Sequence, residues 1–286
     1  MSSQRRQVSK KILSAAWSEL KKDKSLIALP IIGGTLSLIS ILLISAIGLV
    51  AGAFNGLSDT ASAQANSASM VGYVFAAILA YVSTVSAIFF QCAVIAGAQE
   101  RLSGGDPTVG SAIRSALKHL PKILLWSLIA TTVGLILRAI SNQKNIGGSI
   151  VSALVGFAWA VATFFVLPVL MVEGIGPIKA ISRSSALMKA TWGAVLRTNI
   201  RYGISVFFIV VGLFAAMVGG GVWAASANSP WPILLSVVAL VALGILCVVL
   251  SALNGYVRVM LYRYATSQTV PGFDQELLSQ AMVIRS

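Results

Sequence analysis

The stretch Ala162–Leu170 reads ATFFVLPVL, and an earlier stretch, Ala87–Ile95, reads AIFFQCAVI. Each copy closes an apolar run, is followed by a glycine-rich linker, and leads into a short amphipathic segment that starts at a proline. The Phe pairs are 75 residues apart, and the segments that follow align at an offset of 70. A fainter third copy follows the last apolar run, where Pro271 matches Pro107. The pattern predicts an internal repeat of membrane span, linker and interfacial helix.

The composition indicates an integral membrane protein. Of the 286 residues, 57% are apolar and 10% are charged, against roughly 45–50% and about 25% in soluble domains. Six runs are long enough to cross a hydrocarbon core of ~30 Å, which takes about 20 helical residues. They lie near residues 26–53, 71–97, 120–137, 148–172, 202–225 and 231–253. The predicted fold is therefore all-α, a polytopic membrane helix bundle with six transmembrane helices.

Amphipathic segments accompany the spans. We predict an N-terminal cytoplasmic helix within residues 1–25, interfacial helices near 107–119 and 177–191, and a cytoplasmic tail, 254–286, with a short helix. Asp106 is the expected N-cap of the first interfacial helix, with Pro107 at its first position. Gly176 and Pro177 are expected to play the same parts in the second. Each segment has an apolar face and a basic face, as in helices that lie on a membrane surface.

The distribution of basic residues predicts the orientation. The chain has 21 Lys and Arg against 8 Asp and Glu, and 19 of the basic residues fall on one side of the predicted spans. The positive-inside rule then places both termini in the cytoplasm, in a multi-pass protein of the cytoplasmic (inner) membrane. Attraction to an anionic phospholipid bilayer explains the net charge of +13, and we expect no nucleic-acid partner.

Two groups of residues are candidates for contact with lipid or a partner. Arg114, Lys118, Lys179 and Arg183 lie on the basic faces of the two interfacial helices. A second group lies where the last span leaves the membrane and consists of Tyr256, Arg258, Tyr262 and Arg263. Interfacial anchoring explains these aromatic and basic side chains, and recognition of a lipid headgroup is the sharper alternative.

Polar residues within the spans are few, and they are the remaining candidates for function because they are costly there. They are Gln91, Thr131, Thr132 and Glu173. The first three are expected to bond between helices. Glu173 has two alternative interpretations: an ion pair with Arg101, Arg183 or Arg258, or the handling of a proton or ion. No nucleophile with a base, paired carboxylates or metal-ligand spacing stands out, so we expect no enzyme, no cofactor and no metal.

Three runs resemble a known family. They are ERLSGGDPT at 100–108, TFFVLPVLMVEGIGPIKAISRSSALMKATWG at 163–193 and LYRYATSQTVPGFDQELL at 261–278. They resemble an uncharacterised prokaryotic family of six-span integral membrane proteins, a domain of unknown function. The resemblance extends over nearly the whole chain. It implies a prokaryotic cytoplasmic-membrane protein of this architecture and carries no activity or catalytic residues with it.

The functional hypothesis that follows is a non-enzymatic protein that binds lipid or a partner at the cytoplasmic leaflet. A membrane-protein partner and a second copy of the chain are further candidates. The alternative is a small-solute transporter or channel that uses the bundle axis. A polar cavity lined by Gln91, Thr131 or Thr132 would favour transport, whereas a dry axis packed with Phe and Leu would not.

Overall fold

The computed structural model describes residues 24–50, 65–141, 146–226, 231–266 and 268, and these residues form eight α-helices and no β-strand. The helices are α1 (Lys24–Val50), α2 (Ala65–Leu102), α3 (Val109–Lys118), α4 (Leu120–Ser141), α5 (Ile146–Ala162), α6 (Val166–Val172), α7 (Pro177–Ser226) and α8 (Trp231–Ala265). The predicted N-terminal amphipathic helix and the short helix of the tail lie outside the described residues.

Five helical segments are long and apolar enough to cross a membrane. They are Ala28–Ile47, Gly72–Leu102, Leu120–Ser141, Gly148–Val172 and Ile233–Ala265. They correspond to the first, second, third, fourth and sixth predicted spans. The fifth predicted span lies in α7, whose described apolar part, Phe208–Gly220, is shorter than the roughly 20 residues that a bilayer requires. The all-helical, membrane-protein character of the chain is thereby confirmed.

α7 differs from the prediction because it is a single helix of 50 residues. The sequence pattern predicts a separate interfacial helix and span, with a boundary between residues 191 and 202. That interval contains no proline and only one glycine, Gly193, so nothing in it interrupts the hydrogen-bond ladder. At 1.5 Å per residue α7 is about 75 Å long, well beyond the ~40–45 Å of a bilayer with its headgroups.

The first interfacial helix starts later than predicted. Its N-cap is Thr108, not Asp106, and the helix begins at Val109. The Thr108 side chain accepts a hydrogen bond from Ser111 N, and the Ser111 hydroxyl accepts one from Thr108 N, both at 3.0 Å. This reciprocal capping box satisfies two backbone donors at once. Asp106 instead pairs with Arg101 at 3.1 Å.

The fourth predicted span is interrupted at residues 163–165, between α5 and α6. Pro168 explains the interruption, because a proline cannot donate to the carbonyl four residues earlier, that of Phe164, and its ring collides with that carbonyl. The first copy of the motif has Ala93 at the corresponding position, and α2 passes through it without a break. The Phe165 N–H donates instead to the Ser184 hydroxyl of α7 at 3.0 Å.

The packed core lies toward one end of the bundle. Its buried side chains come from the C-terminal parts of α2 and α8, from α3 and α6, and from the N-terminal parts of α4 and α7. Large apolar side chains elsewhere on α1 and α8 are exposed, for example Leu42 and Ile245. Two glycines allow close helix contact there: a Cβ on Gly33 would lie 2.6 Å from Phe90 Cγ, and one on Gly255 would lie 2.4 Å from Val94 Cγ1.

Candidate basic surface and polar cavity at the packed end

Helix ends converge at the packed end of the bundle. The Ser111 hydroxyl of α3 donates to Glu100 Oε2 near the end of α2 at 3.1 Å. Lys122 Nζ, in the first turn of α4, donates to the carbonyl of Gly174, just after α6. Arg263, near the end of α8, donates to the carbonyl of Leu102 at 2.6 Å. The predicted site residues of the linkers, α3, α7 and α8 are therefore brought to one end of the molecule.

Four of the predicted contact residues are exposed there, and one of them, Arg183, is bonded to Glu173. Arg114 and Lys118 of α3 are exposed, while Ala112 and Ala116 on the same helix are fully buried. Lys179, in the first turn of α7, is also exposed. These three side chains form what we call the basic surface, defined as Arg114, Lys118 and Lys179.

Arg183 is held by an internal partner. Its Nε donates to Glu173 Oε1 at 3.0 Å, and the same oxygen accepts a hydrogen bond from the Tyr262 hydroxyl at 3.0 Å. Of the three arginines considered for Glu173, the structure thus selects Arg183. The ion pair and the bond from Tyr262 together join the end of α6 to α7 and α8. Because both side chains are partly solvent-exposed, at 46% and 24%, the pair contributes about 0–1 kcal/mol to stability.

Three residues of the second predicted group are buried in the described structure. Tyr256, Tyr262 and Arg263 are only 0%, 2% and 5% exposed. Besides the Leu102 carbonyl, Arg263 donates to Gln99 Oε1 at 3.1 Å, to the Gln99 carbonyl at 3.2 Å and to the Ser103 hydroxyl. The last carbonyls of a helix have no partner within it. The guanidinium of Arg263 bonds two of the last carbonyls of α2, those of Gln99 and Leu102.

Arg258, the fourth member of that group, has a different environment. Its guanidinium lies over the Phe164 ring, 5.4 Å from the ring centroid. Its Nε is fully buried and has no hydrogen-bond partner among the described residues. It lines a cavity of about 20 Å³ together with Gln91, Val94, Ile95, Ser251, Asn254 and Gly255. Gln91 is therefore the one predicted intramembrane polar residue that reaches this cavity.

The other intramembrane candidates lie apart from the cavity. Thr132 is exposed and its hydroxyl donates to the carbonyl of Leu128 at 2.8 Å. Thr131 is buried, and its Oγ1 has no hydrogen-bond partner among the residues that the structure describes. In the same helix, Trp126 stacks on Trp159 of α5 with ring centroids 5.9 Å apart. The two threonines and Gln91 thus do not form one polar path.

Ser251 and Asn254 line the cavity but are not among the site residues predicted from the sequence. With Arg258 they follow i, i+3, i+7 spacing, which places them on one face of α8. Gln91, Val94 and Ile95 have the matching i, i+3, i+4 spacing on α2. That periodicity was readable in the sequence, but the pairing of the two faces depends on the contact between Gly255 and Val94.

A protein family matches most of the chain, whereas no curated protein matches it. A family described as a family of unknown function (DUF6159) matches residues 70–273, which is most of the chain and includes the linkers, the packed end and the cavity. This finding confirms the expected resemblance to an uncharacterised family. The chain belongs to this family of unknown function.

Proposed function

We propose that the protein is a non-enzymatic integral membrane protein that binds anionic lipid at the cytoplasmic leaflet of a prokaryotic inner membrane. The observation that carries the proposal is the basic surface at the packed end. Each Lys or Arg near an anionic membrane surface contributes about 1 kcal/mol of attraction. Three such residues on two helices give a preference for anionic over zwitterionic lipid.

The proposal includes six spans, with both termini and the packed end on the cytoplasmic side. Among the described residues, Arg138 is the basic side chain at the far end of the helices from the basic surface. This asymmetry supports the orientation by the positive-inside rule. The length of α7 supports a sixth span, because a helix of about 75 Å can cross the bilayer and extend beyond it.

An internal repeat is also part of the proposal. Gly104 and Gly174 follow α2 and α6 with positive φ angles of 87° and 62°, and they are 70 residues apart, the offset of the segments that follow. Phe89 and Phe90 meet edge to face at 5.3 Å, and the second pair, Phe164 and Phe165, does so at 4.9 Å. These parallels support an internal repeat in which the two membrane exits have similar structures, although only the second contains a helix break.

Glu173 supports a non-enzymatic role. A membrane enzyme built on this acid would need the carboxylate available to a substrate. Its Oε1 instead accepts from both Arg183 and Tyr262. The bonds tie three helices together, which is a structural use of the acid.

Transport is the alternative, and it is favoured by the cavity beside Gln91. Its volume of about 20 Å³ accommodates a group the size of one water molecule. A larger solute would require the contact between α2 and α8 to open. We therefore place transport second.

The experiment compares lipid preference in nanodiscs that contain equal amounts of phosphatidylglycerol and phosphatidylcholine. In the triple variant Arg114→Gln/Lys118→Gln/Lys179→Gln, we expect the ratio of phosphatidylglycerol to phosphatidylcholine retained in native mass spectrometry to fall by about tenfold or more. The matched control, Arg138→Gln/Lys144→Gln, removes two basic residues of the opposite predicted side and should leave the ratio unchanged. Equal loss in both variants, or no loss in the triple variant, would contradict the proposal.

A further inference from the structure

The cavity between α2 and α8 has a polar lining that the basic surface does not explain. The two helices are in close contact where Gly255 faces Val94. Beside that contact, the side chains of Gln91, Ser251 and Asn254 line the space together with Arg258. Asn254 is exposed, so the cavity lies at the surface of the bundle and not on a closed axis.

Arg258 gives this cavity a positive charge that no described acid pairs with. An arginine stays protonated in proteins, and its buried Nε has no hydrogen-bond partner among the described residues. The three acids that the structure describes are engaged elsewhere: Glu173 with Arg183, Asp106 with Arg101, and Glu100 with Ser111. The cation–π contact with Phe164 stabilises the cation. It does not supply a negative charge or an acceptor for the Nε–H.

The other polar side chains of the lining, Gln91, Ser251 and Asn254, can each donate a hydrogen bond. The amides of Gln91 and Asn254 have N–H donors, and the Ser251 hydroxyl has an O–H donor. A cation with neutral donors beside it can bind an oxyanion, and arginine is well suited to phosphate oxygens. A water molecule would satisfy the hydrogen bonds but would leave the charge without a counterion.

The size of the cavity limits what enters it. A volume of about 20 Å³ is sufficient for one group of water size. One unesterified oxygen of a phosphate therefore fits, while the remainder of the phosphate lies outside, beside the exposed Asn254. This requirement suits a phosphate group presented at the surface between the two helices.

We propose that the cavity formed by Gln91, Ser251, Asn254 and Arg258 binds one anionic oxygen of a phosphate group. The phosphate belongs either to a phospholipid headgroup or to inorganic phosphate. The phospholipid source rests on the lipid binding proposed above and deepens it to a single defined site, whereas the inorganic source is independent of it.

The test uses the full chain with two probes. The first probe is phosphatidylglycerol, titrated into detergent-solubilised protein and counted by native mass spectrometry. The second is inorganic phosphate, added at constant ionic strength against chloride, with the unfolding temperature as the readout. The variants are Arg258→Gln, which removes the charge, and Gln91→Leu, which keeps Arg258 but removes one donor and fills the cavity. Arg138→Gln is the control for loss of an arginine elsewhere.

If the proposal is correct, Arg258→Gln lowers the apparent affinity for at least one probe by about tenfold or more, as expected for a lost charge-assisted contact. For phosphatidylglycerol this is the affinity of the tightest site, and for phosphate it is the affinity read from the rise in unfolding temperature. Gln91→Leu weakens the same site, and Arg138→Gln does not. Loss with the lipid probe alone assigns the site to a headgroup, and loss with phosphate alone assigns it to the free anion.

Wild-type affinity for both probes in Arg258→Gln and Gln91→Leu would overturn the proposal. If Arg258→Gln does not fold, wild-type affinity in Gln91→Leu is sufficient to overturn it. The triple variant of the basic surface separates this outcome from failure of the proposed function. A triple variant that loses lipid preference while Arg258→Gln binds normally leaves the function standing and removes the cavity site.

Discussion

Two arginines of α8, five residues apart, show how differently one helix end can use the same residue type. Arg263 donates to two backbone carbonyls and two side-chain oxygens at the end of α2. Arg258 lies against an aromatic ring beside a cavity, with its Nε unpaired among the described residues. In sequence both belong to one aromatic and basic group at a membrane exit. Their separate roles depend on which part of α2 each one meets.

The close contact between Gly255 and Val94 predicts that a larger residue at Gly255 lowers the stability of the protein. We expect Gly255→Ala to destabilise the protein by about 1–3 kcal/mol, the usual cost of forcing extra volume into a packed core. The new Cβ would lie 2.4 Å from Val94 Cγ1, and the branched Val94 side chain has few rotamers into which it can move. Thermal unfolding in detergent provides the measurement.

The controls for Gly255 lie on the same two helices. Gly244→Ala places a Cβ where no heavy atom lies within 4 Å and should be neutral or slightly stabilising, since alanine favours the helix. Adding Val94→Ala to Gly255→Ala should recover part of the lost stability by removing the colliding methyl groups. Equal effects at Gly255 and Gly244 would show that the contact is not tight.

At the scale of elements, a single residue distinguishes the two copies of the Phe motif. Ala93 lets α2 continue through its copy. In the other copy Pro168, in the first turn of α6, accounts for the break between α5 and α6. The interruption leaves the buried Phe165 N–H without a partner in its own helix. Ser184 of α7 supplies the acceptor, so a break in one helix becomes a link to another.

We expect Ser184→Ala to cost about 1–3 kcal/mol, because it leaves a buried N–H unsatisfied. Ser182→Ala, at an exposed position of the same helix, is the control and should change stability by less than about 0.5 kcal/mol. In a Pro168→Ala background the helix can continue, and Phe165 N can bond to the Val161 carbonyl. The cost of Ser184→Ala should then shrink in a double-mutant cycle. If Ser184→Ala costs the same in both backgrounds, the contribution of Ser184 to stability does not depend on the helix break.

At the scale of the whole molecule, the packed core and the exposed apolar surface occupy different regions. The polar contacts between helix ends are concentrated at the packed end. Exposed Leu, Ile and Val cover large parts of α1 and α8, which would be costly in water but is favourable against lipid tails. This division is consistent with helices that diverge into the hydrocarbon from one tightly joined end.

The proposed topology predicts the results of reporter fusions. A reporter that is active only outside the cytoplasm should be active when fused after residue 143 or 228 and inactive after residue 105, 175 or 268. A reporter that is active only in the cytoplasm should give the inverse pattern and serves as the control for expression. If α7 does not cross the bilayer, the fusions after residues 228 and 268 exchange their results. That outcome would reduce the protein to five spans and contradict the proposed topology.

The sequence by itself determined the all-helical class, five of the apolar helices and the start of α7 at Pro177. Apolar run length and proline position are local properties, and they act within a few residues. The sequence misplaced the start of α3, because Asp106 and Thr108 are both good N-caps and the choice follows from the Thr108–Ser111 bonds. It also placed a boundary inside α7, since an amphipathic stretch followed by an apolar one need not contain a break.

Only the tertiary structure decided which polar residues face each other. The selection of Arg183 by Glu173, the burial of Arg263 and the cavity beside Arg258 join residues 10 to 167 positions apart in the chain. Such pairings depend on how closely helices approach, and here Gly33 and Gly255 set that approach through contacts with α2. Helical periodicity shows which residues share a face of one helix, but it does not show which neighbouring helix that face meets.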